Sequence, residues 1–201
     1  DIASGGTADP RTDTYLTSAT AGAGASNVGI AGSLALNLID TESLAEVASN
    51  ASVTVSGHGA VTMATDDETS MTAQALPFAP DSSDPDTPAS GGKVGIGASV
   101  ALNIVANRSL AEIENGATVT GADDLSLSAN AAHAIDTEAR AGAAGGVALT
   151  PAVALSMVDN TTTAELGTLA GTQAAAGDVT IAATQQASET TVASGKSSGS
   201  K

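Results

Sequence analysis

Two stretches of this chain repeat one another almost residue for residue. Residues 28–47 read VGIAGSLALNLIDTESLAEV and residues 94–113 read VGIGASVALNIVANRSLAEI, identical at 11 of 20 positions. Most of the remaining positions exchange one aliphatic or small residue for another. A third copy starts at Val147 and matches the second at eight of 20 positions, including Val153, Leu155, Val158, Asn160 and Glu165. A fixed period of this size marks a repeat architecture, in which one unit cannot bury its own apolar face and stacked neighbours can. Val28 and Val94 are 66 residues apart, and Val94 and Val147 are 53 apart. The difference of 13 matches residues 76–88 (LPFAPDSSDPDTP), a Pro- and Asp-rich stretch with no counterpart in the second copy. We read it as a loop inserted into a basic unit of 53, since Pro is excluded from the middle of a sheet ladder. The chain then divides into the tail of a preceding unit (1–27), repeat 1 with its acidic loop 76–88 (28–93), repeat 2 (94–146) and repeat 3 (147–201), all one continuous array. Neither end carries a distinct capping unit, so a longer parent array is expected.

Within each copy, aliphatic and small residues alternate. Val94, Ile96, Ala98, Val100, Leu102 and Ile104 are interleaved with Gly95, Gly97, Ser99, Ala101 and Asn103. Period two is the signature of a strand. β-branched residues and the Gly145-Gly146 pair argue against helix despite the abundant Ala. The expected fold is all-β: a parallel β-solenoid, each strand pairing with its equivalent in the next turn. An antiparallel β-sandwich is the alternative. A unit of 53 residues accommodates about four strands of ordinary length, or roughly two solenoid turns. The aliphatic face is expected to look into the core. The Gly/Ala/Ser/Asn face is smooth enough to pack closely on a second sheet or a neighbouring chain. Pro151 predicts a bulge or an exposed edge in the third copy.

Composition narrows the function. Tyr15 and Phe78 are the only aromatic residues, yet 42% of the chain is apolar. Small aliphatics suit thin layers stacked many times rather than one globular core. Twenty-two acidic and six scattered basic residues leave a net charge of −16, which repels phosphates and anionic head groups. Nucleic-acid binding is not expected, and neither is membrane insertion, because the apolar runs are too short and Gly-rich for a spanning helix. A transmembrane barrel would need aromatic girdles. The absence of Cys excludes a disulfide framework.

The succession of an Ala/Gly-rich tail, VGIGASVALNIVAN, SLAEI, ATVT and DLSLSA resembles the repeats of giant bacterial surface proteins of the filamentous-haemagglutinin and autotransporter-adhesin type. The resemblance covers nearly the whole chain. It implies secretion to the cell surface, a long parallel β-solenoid, and service as an adhesin shaft or matrix fibre, contacting neighbouring repeats, glycans or a host surface. It carries no catalytic motif. No G-x-S-x-G, HExxH or P-loop occurs, and the chain is not expected to be an enzyme. A glycan- or ice-binding solenoid and a β-helix polysaccharide-degrading enzyme are the competing functional readings.

Candidate sites are few. Asp66, Asp67 and Glu68, and separately Asp81, Asp84 and Asp86, form oxygen-rich clusters of the kind Ca²⁺ takes; a solvated acidic stretch is the competing reading, and no other cofactor is implied. Phe78 with Asp81, Asp84 and Asp86 makes the inserted loop a candidate interaction site. Glu46, Glu112 and Glu165 share one repeat position and predict a carboxylate column. Asn107 and Asn160 head N-x-S/T sequons, as does Asn50, and so are candidate glycosylation sites or turn residues. His58 and His133 occupy unrelated repeat positions and read as lone surface residues. The G-x-G pairs at Gly22/Gly24 and Gly95/Gly97 read as close-packing positions rather than phosphate cradles.

Overall fold

The structure, a computed structural model, describes residues 2–3, 11–77, 89–171 and 175–199. Among these residues there is no helix. The strands are β1 (Ile2–Ala3), β2 (Arg11–Ala21), β3 (Gly24–Ala25), β4 (Val28–Val47), β5 (Ser52–Pro77), β6 (Ala89–Gly91), β7 (Val94–Ile113), β8 (Thr118–Gly145), β9 (Val147–Leu149), β10 (Ala152–Leu166) and β11 (Val179–Gly199). They form two sheets. In the first, β2, β5, β8 and β11 lie side by side, with β3 and β6 extending the line beyond β2 and β5. In the second, β4, β7 and β10 lie side by side, with β9 extending β10. Every pairing between long strands is parallel; only the short β1 runs antiparallel, on β5. The antiparallel sandwich is thereby overturned.

The registers are those of the sequence alignment. Val28 pairs with Val94, and Val94 with Val147. The ladder continues without a slip to Val47–Ile113 and Leu166–Ile113. Strand length departs from expectation. Instead of four short strands, each unit contributes two long ones, 20 residues in β7 and 28 in β8. Nothing inside these runs breaks the alternation, so the chain crosses between the sheets twice per unit, in repeat 2 at Gly146 and at a tight turn between β7 and β8. At that turn Asn50 (φ 62°) and Gly116 (φ 83°) take the left-handed conformation, and Ala51 and Ala117 donate their amides back to Ala48 and Glu114.

The register departs from the simple repeat count in two places. Val53 opposes Val119 at the offset of 66 that separates Val28 from Val94, but Val61 opposes Leu125 at an offset of 64. The two surplus residues are absorbed in an irregularity between Thr54 and Val61, where Gly57 and His58 both take positive φ. The insertion is also shorter at its start than expected: Leu76 and Pro77 still belong to β5, opposite Thr20 and Ala21. Pairing resumes at Ala89, opposite Ala143. Pro151 falls in the break between β9 and β10, on an edge strand of its sheet, where its missing N–H costs no ladder bond.

The two sheets pack face to face through an interior graded in size. Near the turn, Val47, Ile113, Met63, Leu125 and Leu127 form the main apolar cluster. Farther along, Val105 meets Met71 and Ile135. Beyond them the contact is almost wholly Ala: Ala35 and Ala101 against Ala73, Ala75 and Ala139. At the far end even a methyl group is too large. A Cβ on Gly97 would stand 2.0 Å from the Gly142 carbonyl oxygen, and one on Gly95 2.4 Å from that of Ala144. Backbone rests on backbone there.

This taper reverses the expected orientation of the alternating strands. The small residues Gly95, Gly97, Ser99, Ala101 and Asn103 face inward, and the aliphatic row faces out. The reason is steric. Where two sheets touch through their main chains, only the small face fits between them, and period two then sends Val94, Ile96, Val100, Leu102 and Ile104 to the opposite side.

Candidate docking face

The outward face of the β4–β7–β10 sheet is a continuous aliphatic surface. Its columns run across the strands as Val28/Val94/Val147, Ile30/Ile96/Leu149, Leu34/Val100/Val153, Leu36/Leu102/Leu155 and Leu38/Ile104/Met157. On the flanking strands these side chains are open to solvent: Ile30 is 67% exposed, Leu38 76% and Met157 56%. Residues 28–39, 94–105 and 147–158 include no charged side chain. A trough of about 560 Å³ crosses the sheet at one border, between Leu38/Ile104/Met157 and Asp40/Ala106/Asp159. Past that border the outer face turns polar, with Glu42 accepting from Arg108 Nη1 at 3.1 Å.

The Glu46–Glu112–Glu165 column is present, with the three residues in register on adjacent strands. Partial burial, and then the like charges of Glu165, Glu114 and Glu46, push the Glu112 carboxyl above its usual value. The consecutive acids Asp66, Asp67 and Glu68 do not converge as a calcium site would require. They sit in β5, so alternation turns Asp66 and Glu68 outward and Asp67 inward. Among the described residues no three His, Cys, Asp or Glu side chains come together to hold a metal. Phe78, Asp81, Asp84 and Asp86 lie outside the described residues.

Asn107 is 2% exposed and sits in an interior ladder. It accepts from Thr41 Oγ1 at 2.6 Å and donates to Asn160 Oδ1 at 2.8 Å. That position faces the opposite sheet rather than solvent, which closes it to glycan attachment, and Asn160 is half-buried in the same ladder. Asn50 is the sequon residue that stands in a turn.

No known protein family, characterised protein or solved structure matches this chain.

Two interior groups escaped the sequence reading. The first is an amide ladder. Asn37 Nδ2 donates to the Thr72 carbonyl at 2.9 Å and to Asn103 Oδ1 at 2.8 Å. Asn103 repeats the pattern one strand on, donating to the Asp136 carbonyl at 2.9 Å and Thr137 Oγ1 at 2.7 Å. Thr17 caps the ladder by donating to Asn37 Oδ1. The second group is His133, which is buried, not a surface residue as its sequence position suggests. Its Nδ1 lies 2.7 Å from Thr69 Oγ1. Burial lowers the His133 pKa more than Asp67 restores it. Burial also raises that of Asp67, against the lowering effect of His133, and Asp13 and Asp66 raise it further. The inward periodicity of Val61, Met63, Thr65, Asp67, Thr69 and Met71 was the available signal. His58, by contrast, lies on the surface, 3.4 Å from Asp123.

Proposed function

We propose that this chain is a structural segment of an extracellular bacterial fibre or adhesin, built as a parallel β-solenoid in which each unit of about 53 residues makes one turn. The observation that carries the reading is the ladder on β7, paired in unbroken register with β4 along its whole length and with β9 and β10 on its other side. Strain applied to one turn is shared along some 20 residues of each neighbour. Support also comes from the interior, whose amide and hydroxyl columns recur from turn to turn and tie the two sheets together.

The geometry makes this scaffold broad rather than thin. Each turn advances the stack by one strand spacing, ~4.8 Å, while strands of 20 and 28 residues extend ~65–95 Å across it. Most residues therefore go into width, and the segment presents two wide faces. One is aliphatic. The other is polar, with a groove of about 410 Å³ bordered by Thr12, Glu68, Ser70, Gln186 and Ser188. That groove favours a second reading, a glycan-binding face.

Force spectroscopy on the chain held between two handle domains tests the scaffold. Release in steps of about 53 residues, near 180 Å of contour at ~3.4 Å per residue, is expected. Extension without rung-sized resistance argues against a load-bearing array. Saturable binding to defined oligosaccharides, lost on Gln186→Ala, transfers support to the glycan reading.

A further inference from the structure

We propose that the aliphatic face of the β4–β7–β10 sheet is a self-complementary interface, and that its occupant is the same face of a second copy of this chain packed antiparallel to it. The proposal names a partner for the scaffold and rests on that reading only for its biological meaning. The face spans 11 residues on each of three strands, about 35 by 14 Å, or about 500 Å² per copy. Contiguous apolar patches on soluble monomers reach about 300–600 Å² and are commonly functional. Two such faces together bury about 1,000 Å², the lower bound for a specific interface.

Relief and charge both select a second copy. Gly32, Ala98 and Pro151 form a shallow trough beside the ridge of Leu34, Val100 and Val153. A twofold axis lying between the two faces, parallel to the sheet and perpendicular to its strands at the level of Ser99, opposes the faces, reverses the strands and lays each ridge into the other copy's trough. The same operation brings the exposed Lys93, at one end of the face, over the Asp40 and Asp159 border at the other. The acidic charge of the chain lies off the contact, so opposed copies meet through uncharged surface. A lipid bilayer fits less well, because the face has no aromatic or basic rim and the net charge of −16 repels anionic head groups.

Sedimentation equilibrium of the 201-residue chain in moderate salt, across a concentration series, tests the pairing. A reversible dimer is expected, strengthened by salt as the acidic charge is screened. Leu36→Asp with Leu102→Asp, both on the exposed face, should weaken it more than about tenfold by burying unpaired charge. Unchanged far-ultraviolet circular dichroism would show that the fold is intact. Lys93→Glu, which alters only the border, should weaken the dimer without touching the apolar contact. Ser128→Asp, on the outer face of the other sheet, should leave it unchanged. Three results overturn the proposal: a monomer at every concentration, an association indifferent to Leu36→Asp/Leu102→Asp and so made through strand edges, or a monomer that binds vesicles through this face. None of them alters the force measurement, so the scaffold reading stands or falls separately.

Discussion

Asn103 donates its side-chain amide to the main-chain carbonyl of Asp136 at 2.9 Å, linking the two sheets through a residue with no solvent exposure. Asn37 makes the same bond to Thr72 on the adjacent pair of strands. Thr72 and Asp136 are themselves register partners, so the cross-sheet bond is a repeated structural element.

Replacing Asn103 with Ala removes that bond and the donation to Thr137 Oγ1, and leaves Asn37 without its acceptor on the next strand. Buried polar groups stripped of partners cost about 1–3 kcal/mol each. We expect Asn103→Ala to lower the unfolding free energy by about 2 kcal/mol or more, read from the urea midpoint. Asn130→Ala, at an exposed position of β8, should change it by less than about 0.5 kcal/mol.

Gly97 lies where the two backbones touch. Gly97→Ala puts a methyl group 2.0 Å from the Gly142 carbonyl oxygen, a main-chain atom that cannot rotate away. Overpacking of this kind costs about 1–3 kcal/mol. Gly32→Ala, whose new methyl group would be 3.8 Å from its nearest neighbour, is the control and should be tolerated. Thermal melts of the two variants should separate clearly.

Burial holds the pKa of His133 in the folded chain below the ordinary histidine value of 6.5. A group depressed on folding contributes stability that is present above its unfolded pKa and lost as pH falls through its folded pKa. The chain should therefore lose stability on acidification from pH 7, and His133→Asn should flatten that slope. Asp67, raised above 3.8, acts with the opposite sign at lower pH, its penalty easing as it protonates. Urea midpoints measured from pH 7.5 down to pH 4 would show both limbs. A wild-type midpoint constant between pH 7 and pH 5 contradicts the assignment.

Glu112 stands between Glu46 and Glu165 on neighbouring strands. Its pKa is raised above 4.5, so its penalty exists above that pH and disappears as the carboxyl protonates. Glu112→Gln should stabilise the chain at pH 7 by roughly 0.2–1 kcal/mol, the range for directly opposed cross-strand charges. The gain should vanish below pH 4.

The alignment that paired Val28 with Val94 and Glu46 with Glu112 already contained the strand register, because stacked repeats bring equivalent residues together. The aliphatic row was equally visible as a face. Its use was not, since hydrophobicity alone sent it to the interior. The Asp67–His133 neighbourhood was hidden for a related reason: the two residues lie on different strands and at different repeat positions, and only the folded sheets bring them near one another.

The sequence by itself determined that the chain is β, that its strands alternate two unlike faces, and which residues align from one unit to the next. These are local and translational properties, written in period two and in the repeat. Only the tertiary structure decided how long the strands run and which face is buried. Alternation specifies two faces without ranking them. The ranking comes from the distance between the sheets, and where Gly97 meets Gly142 that distance admits no side chain at all.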